Sequence, residues 1–262
     1  MIGQKALKAQ FDTFVNLPRV IMLVGENGSG RKTFAYWFAD KKQMPIVLVG
    51  DSADDIRALT QVKLNTDTFY LIPNIDRLSV TAQNSLLKIL EEPPTNMYFI
   101  VTTIQESLVL PTIQSRCMRF VMCNYSKQEL EDYARGEYKV TDTDLQTIDE
   151  ICTCPGEIQT LMKYDVPEFL NYVKLVYKNI AKVSGANSFK ISGKVNLADD
   201  DKKYELGLFW KAFTTECLKD LKPETLKAVQ ITSKYYSELR IKGVNKQMMF
   251  DNWILDIRKA WM

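Results

Sequence analysis

Apolar residues along the first half of the chain fall in short runs separated by mixed stretches. Val20–Val24 (Val-Ile-Met-Leu-Val) is unbroken and leads into a glycine-rich segment. Ile46–Val49, Phe69–Ile72 and Tyr98–Val101 repeat the pattern, and Arg119–Met122 gives a fifth run that opens on a charge. Runs of this length bounded by turn formers predict buried strands. Helical patterns fill most of the intervals. Short apolar strands alternating with helices predict an α/β fold with a parallel sheet.

After about residue 123 the helical period takes over. Ser126, with Glu129 three residues on, predicts a capping box. Thr141–Cys152 and Pro155–Tyr164 read as short helices, and everything from Val166 onward reads as helical. Leu206, Phe209, Trp210, Phe213 and Cys217 recur at helical spacing and predict one inward face. Leu226, Val229, Tyr235 and Leu239 suggest a second. Asn245 is placed to cap a last helix whose inner side carries Met249, Trp253, Ile254, Ile257 and Ala260. Residues 184–203 form a polar connection containing Gly and Ser. The chain shows no internal repeat. The expected division is an α/β core at 1–122, a small helical segment at 123–165 and an all-α domain at 166–262.

Composition narrows the function. The chain's 262 residues give room for two or three modest domains. A formal net charge of +2 provides no global basic field for tight, independent nucleic-acid binding, though a local basic face stays open. The absence of histidine removes imidazole acid–base chemistry and most zinc sites. Five scattered cysteines, Cys117, Cys123, Cys152, Cys154 and Cys217, contain no Cys-x-x-Cys pair and read as reduced structural thiols. Cys152 and Cys154 lack further nearby ligands for a metal, so no metal site is expected. No apolar run approaches the ~20 residues of a membrane span, and the first residues lack a signal pattern. The expected location is the cytosol.

Gly25-Glu26-Asn27-Gly28-Ser29-Gly30-Arg31-Lys32-Thr33 follows a predicted strand and opens a predicted helix. That is the context of a phosphate-binding loop, where glycines let successive N–H groups converge on an anion at a helix start. A working loop continues with Lys, for the β- and γ-phosphates, and then Ser or Thr, for magnesium. Here Arg31 and Lys32 hold those two positions. Thr33 lies one residue further, ~100° around the helix. Gly25, Gly28, Gly30, Arg31 and Lys32 are therefore candidates for weak ATP or ADP binding without an organised magnesium ion. A glycine-rich turn with no ligand is the other reading.

Three segments carry a resemblance. Ile2-Gly3-Gln4, Ala82-Gln83-Asn84-Ser85-Leu86-Leu87-Lys88-Ile89-Leu90-Glu91-Glu92-Pro93-Pro94 and Leu110-Pro111-Thr112-Ile113-Gln114-Ser115-Arg116-Cys117 resemble motifs of the AAA+ clamp-loader family; residues 243–251 resemble its last collar helix more weakly. The resemblance implies an AAA+ P-loop core at 1–122, a helical lid at 123–165 and a helical collar at 166–262 that joins subunits. Where the family carries its second acidic motif, this chain reads Pro73-Asn74-Ile75-Asp76. Glu157 stands where a nucleotide-sensing arginine is expected, and an anion there would repel phosphates.

The losses fall together while Ser115-Arg116-Cys117 is kept. That combination resembles the non-hydrolysing delta-prime type within bacterial or phage DNA polymerase III loaders. It implies Arg116 as an arginine finger acting on a neighbour's ATP, and Thr103 as a structural relic of a sensor threonine. Ser79 and Thr81 would open a DNA-facing helix, or Ser79 would simply cap it. The four-cysteine zinc module of bacterial relatives does not carry over, because residues 34–68 contain no cysteine. Implied partners are gamma/tau-like ATPase subunits, a delta-like subunit, a sliding clamp and primer–template DNA. Two other readings are an active gamma/tau-like ATPase using Lys32 and Thr33, and a stand-alone DNA-binding AAA+ relative. Asp76 alone replaces a carboxylate pair poorly, and no basic recognition helix is evident.

Overall fold

The computed structural model describes residues 2–62, 65–180, 193–197, 203–239, 241 and 243–261. They fall into two compact units, Met1–Glu129 with Cys154–Gly156, and Leu130–Thr153 with Glu157–Met262.

The first unit is built on a parallel sheet in the order β2-β3-β4-β1-β5. Its strands are β1 (Val20–Val24), β2 (Ile46–Leu48), β3 (Thr68–Ile72), β4 (Met97–Thr103) and β5 (Met118–Val121). The central strands are buried on both faces, and their side chains alternate between two apolar clusters. Val20, Met22, Tyr70, Ile72, Phe99 and Val101 belong to one cluster; Ile21, Leu23, Phe69, Leu71 and Ile100 belong to the other. This is the two-residue period of a strand applied on both sides.

Helices α1 (Lys5–Asp12) and α2 (Arg31–Lys41) contribute Leu7, Phe11, Phe34 and Phe38 to the second face. Helices α3 (Ala53–Ala58) and α4 (Val80–Glu91) contribute Ile56, Leu86, Ile89 and Leu90 to the first. The edge strands β2 and β5 leave Val47, Leu48, Met118 and Val121 exposed. A short helix, α5 (Pro111–Gln114), precedes β5.

Local chemistry sets the ends of these helices. Ser52 and Asp55 form a capping box on α3, and the Ser79 hydroxyl accepts the Ala82 N–H at 3.1 Å to cap α4. Pro93 and Pro94 follow the end of α4 and cannot extend it. Arg19 Nη2 secures that turn by donating to the carbonyls of Pro93 (3.2 Å) and Pro94 (2.7 Å). The expected Ser126–Glu129 capping box is present at the start of α6 (Lys127–Glu137), with the Ser126 N–H donating to the Glu129 carboxylate at 2.9 Å.

The second unit is mainly helical. It holds α7 (Asp142–Ile151), most of α8 (Pro155–Leu161), α9 (Val166–Asn179), α10 (Leu206–Leu218), α11 (Pro223–Glu238) and α12 (Lys246–Trp261). All five residues expected on the inner face of α10 are buried. Asn245 caps α12 by accepting the Met248 N–H at 3.0 Å. Met249, Trp253, Ile254 and Ile257 are buried, together with Phe250.

Two expectations are corrected. The chain after Val166 is not wholly helical: β6 (Val195–Asn196) pairs in parallel with β7 (Tyr204–Glu205). Val195 is buried, and Tyr204 packs against Tyr164 and Phe169. These strands are too short to show a period. Of the polar connection expected at 184–203, residues 184–192 and 198–202 lie outside the described residues. The inner face of α11 is also rotated from the expected one. Thr225, Ala228, Thr232 and Tyr235 are buried, while Leu226 is exposed. The indole N–H of buried Trp253 needs an acceptor, and Thr232 Oγ1 provides it at 3.0 Å while donating to the Ala228 carbonyl at 2.8 Å. Among the described residues, no helix is long and apolar enough to cross a membrane.

Replacing Thr232 by Val keeps the shape but strands the Trp253 N–H. The expected result is a loss of about 1–3 kcal/mol in the stability of the helical unit, read by urea unfolding with tryptophan fluorescence. Thr232→Ser keeps the oxygen and should lose less. Equal losses in both variants would assign the effect to methyl packing instead.

Candidate functional site

The register sets the carboxyl ends of the central strands side by side. Val24 of β1 lies beside Thr103 of β4 and Val121 of β5, and Ile72 of β3 lies beside Val101. The crevice outside such strand ends is where open α/β sheets bind ligands. The 25–30 loop leaves β1 here, with the Gly25 N–H donating to the Thr103 carbonyl at 3.1 Å. Gly28 and Gly30 adopt φ of 76° and 86°, and Gly30 caps α2. These left-handed conformations suit glycine.

The chain's own backbone touches this loop. Gly156 N–H donates to the Gly28 carbonyl at 3.1 Å. A Cβ on Gly156 would lie 2.3 Å from the Gly28 Cα, so the contact depends on a missing side chain. The Cys154 thiol donates to the Asn27 carbonyl at 3.4 Å, and the Tyr125 hydroxyl donates to the Ser29 carbonyl at 2.9 Å. The N-terminal Ile2-Gly3-Gln4 segment converges on the same place. Gln4 Nε2 donates to the Cys123 carbonyl and Gln4 Oε1 accepts the Cys123 N–H, both at 2.7 Å. A Cβ on Gly3 would meet the Tyr125 ring at 2.6 Å. Tyr125, which joins the N-terminal box to the loop, carried no signal in the sequence.

Arg31 and Lys32 separate sharply. Arg31 is buried at 7% exposure, and neither its Nη1 nor the buried Ser29 Oγ has a hydrogen-bond partner. Burial lowers the Arg31 pKa from its ordinary value; the Asp76 and Glu26 charges act against that shift, and Arg77 adds to it. Its guanidinium remains cationic at neutral pH. Lys32 and Thr33 are exposed, and the Lys32 ammonium sits 6.0 Å from the Tyr36 ring.

Asp76 is buried, and its Oδ1 accepts both the Thr103 hydroxyl (2.9 Å) and the Ile104 N–H (3.1 Å). Asn74, at φ 49°, donates its N–H to Thr102 Oγ1 at 2.9 Å. The loop thus offers an anion one buried cation and a helix start. It offers magnesium no hydroxyl at the Lys32 position, and Asp76 already uses Oδ1 to tie the turn after β3 to the end of β4. These residues do not fit a magnesium–nucleotide complex.

The second cluster of motif residues, at the α4–α5 junction, is organised by amides. Buried Gln83 donates to the Leu108 carbonyl at 3.2 Å and accepts the Leu110 N–H at 3.0 Å. Gln114 donates to the carbonyls of Glu106 and Val109, both at 2.9 Å. Arg116 follows α5; its Nη1 donates to the Thr112 carbonyl at 2.6 Å, and its Nη2 pairs with Glu91. Ser79 and Thr81 are exposed at the opposite end of α4, where Ser79 acts as the cap.

In the second unit, Glu157 forms an ion pair with Lys211 and accepts the Thr153 N–H at 2.7 Å. Its charge is therefore compensated locally. Sequence spacing gave no sign that Lys211 of α10 pairs with it.

Cys117 packs against the apolar cluster that includes α4, and burial pushes its thiol up to about 12. Against an ordinary thiol near 9, its thiolate fraction at pH 8 falls about 10³-fold. Alkylation at pH 8 followed by peptide mapping should label Cys117 far more slowly in the native chain than in the urea-unfolded chain. Labelling at similar rates would show an accessible, ionised thiol.

The family model described as "DNA polymerase III, delta subunit" matches residues 53–126. A 62-residue stretch is 45% identical to "Uncharacterized protein MG007 homolog" of Mycoplasma pneumoniae, covering 24% of each chain. Another, of 47 residues, is 49% identical to the DNA polymerase III subunit delta' of Buchnera aphidicola, covering 18% of this chain and 14% of that one. A third, of 72 residues, is 40% identical to subunit tau of Bacillus subtilis, covering 27% and 13%. The matches thus span about a quarter or less of those relatives' lengths.

Among solved structures, a DNA polymerase III gamma subunit-related protein from Thermotoga maritima is similar at TM-score 0.51 and 17% identity, over 98% of this chain and 99% of that one. The RuvB Holliday junction branch migration motor of the same organism is similar at TM-score 0.54 and 19% identity, over 84% and 76%. At these identities the two structures speak for the fold. Residues 53–126 are thus similar to DNA polymerase III subunits, and the five-stranded parallel sheet agrees with the fold of the two solved structures.

Proposed function

We propose that this chain is a delta-prime-like subunit of a DNA sliding-clamp loader that does not hydrolyse ATP itself and donates Arg116 to a neighbouring ATPase subunit. The observation that carries the reading is a contrast within one unit. The loop has Arg31 buried where a compact lysine is needed and Lys32 exposed where a hydroxyl is needed, while Ser115-Arg116-Cys117 keeps a partly exposed guanidinium. A subunit without its own magnesium site gains nothing from a finger aimed at itself. A neighbour's γ-phosphoryl is the chemically sensible target, because a guanidinium stabilises charge spreading over the transferring group.

The helical residues 166–262 would act as a collar, and 123–165 as the lid of the core. Partners would be gamma/tau-like ATPase subunits, a delta-like subunit, the clamp and primer–template DNA, all in the cytosol. Ser79 and Thr81 would lie near the DNA. Any ATP or ADP held at Gly25, Gly28, Gly30, Arg31 and Lys32 would bind weakly and without magnesium.

Purified alone, the chain should show no ATP turnover above background with magnesium and primed DNA. Turnover that disappears in Lys32→Ala would overturn the non-hydrolysing reading.

In the assembled loader, Arg116→Ala should lower single-turnover hydrolysis at the adjacent site by on the order of 10³-fold without loss of assembly. Lys at this position should restore little, because an ammonium lacks the forked geometry. Wild-type single-turnover rates in intact Arg116→Ala complexes would remove the finger role.

A further inference from the structure

The guanidinium of Arg116 is gripped at both terminal nitrogens by acceptors from two different elements. Nη1 donates to the carbonyl of Thr112, in the first turn of α5, and Nη2 is paired with the carboxylate of Glu91, the last residue of α4. We propose that Glu91 is a positioning residue, which fixes the plane of the Arg116 guanidinium so that its remaining N–H groups are presented to an oxyanion on an adjacent subunit. This rests on the reading of Arg116 as a finger acting in trans.

Both acceptors stand on backbone that is held elsewhere. Arg19 clamps the Pro93–Pro94 turn directly after Glu91, and its guanidinium lies 4.6 Å from the Tyr98 ring centroid. Gln83 ties the other end of α4 to the segment leading into α5. A guanidinium has five N–H donors, so two engaged donors leave three. An unrestrained arginine would otherwise lose its rotamer freedom at the moment of reaction. The Arg116 side chain stays 31% exposed, so a group outside the chain can reach it.

An exposed ion pair adds little to stability. A purely structural Glu91–Arg116 pair therefore predicts almost no effect on any rate. A positioning role predicts a rate effect that depends on Arg116.

The test uses the full chain assembled with its ATPase neighbour. Glu91→Ala should lower the single-turnover rate constant at the adjacent site on the order of 10- to 100-fold, leaving nucleotide affinity there unchanged. Glu91→Gln, which keeps an accepting oxygen, should recover much of that loss. Adding Glu91→Ala to Arg116→Ala should cost nothing more, because the two side chains act through one group. In the free chain, nitrogen-15 spectra should show hindered rotation of the Arg116 guanidinium that is released in Glu91→Ala.

Wild-type rates for Glu91→Ala in complexes that do lose rate with Arg116→Ala would overturn the positioning role alone. So would additive losses, or a guanidinium that rotates freely in the unaltered chain. Wild-type rates for Arg116→Ala would overturn the finger reading and this role together.

Discussion

Two-sided burial of the central strands is the constraint from which the rest of the first unit follows. A strand such as β1, with every residue buried, can exist only if helices cover both faces of its sheet. The chain meets this by sending α1 and α2 to one face and α3 and α4 to the other. Parallel pairing then brings the ends of β1, β3 and β4 to one edge. The glycine loop, the Asn74 turn and Thr103 meet there without any one of them having to attract the others.

At that edge, charge decides what the loop can hold. A buried guanidinium is costly unless something offsets its lost hydration, and Asp76 is the largest favourable charge acting on Arg31. Asp76 is itself held by Thr103 and the Ile104 N–H. The threonine that the sequence suggested as a relic therefore has a present role in fixing a carboxylate. Moving Asp76 toward a metal would give up both hydrogen bonds and weaken the charge that offsets the burial of Arg31. The loop's departure from a nucleotide-binding pattern is thus more than a pair of side-chain replacements; the surrounding polar groups are arranged around it.

Much of this was legible in the sequence. The five apolar runs became five strands within a residue or two, and the three central ones, buried on both faces, leave few polar positions to blur the signal. Ser126 and Asn245 announced real caps, since capping needs only local spacing. The failures share a different cause. Thr232 faces inward and accepts the N–H that Trp253 brings into the core, Thr225 turns its hydroxyl back to the Lys222 carbonyl, and a pattern that ranks residues by hydrophobicity selects Leu226 instead. β6 and β7 have two residues each, less than one full alternation. The contact of Gly28 with Gly156, and the pairing of Glu157 with Lys211, join residues far apart in the chain whose meeting only the tertiary fold determines. Arg31 and Asp76 were both singled out from sequence, but their proximity was not.

Helix α4 shows how one rigid element can carry two kinds of contact with different consequences. At its first turn, Gln83 satisfies a backbone carbonyl and a backbone N–H in the segment before α5. Those are part-buried, neutral bonds, and breaking one leaves the buried Gln83 amide without a partner, so they fix where α5 sits. At its last turn, Glu91 meets a partly exposed guanidinium, whose hydration can replace the contact at little cost in stability. The same helix therefore holds the backbone of the Ser115-Arg116-Cys117 segment firmly and the arginine head lightly. Cys117, packed half-buried against the cluster that contains α4, strengthens the first of these effects. A guanidinium on a fixed base, with two of its five donors engaged, can be ordered before its remaining N–H groups meet an external anion.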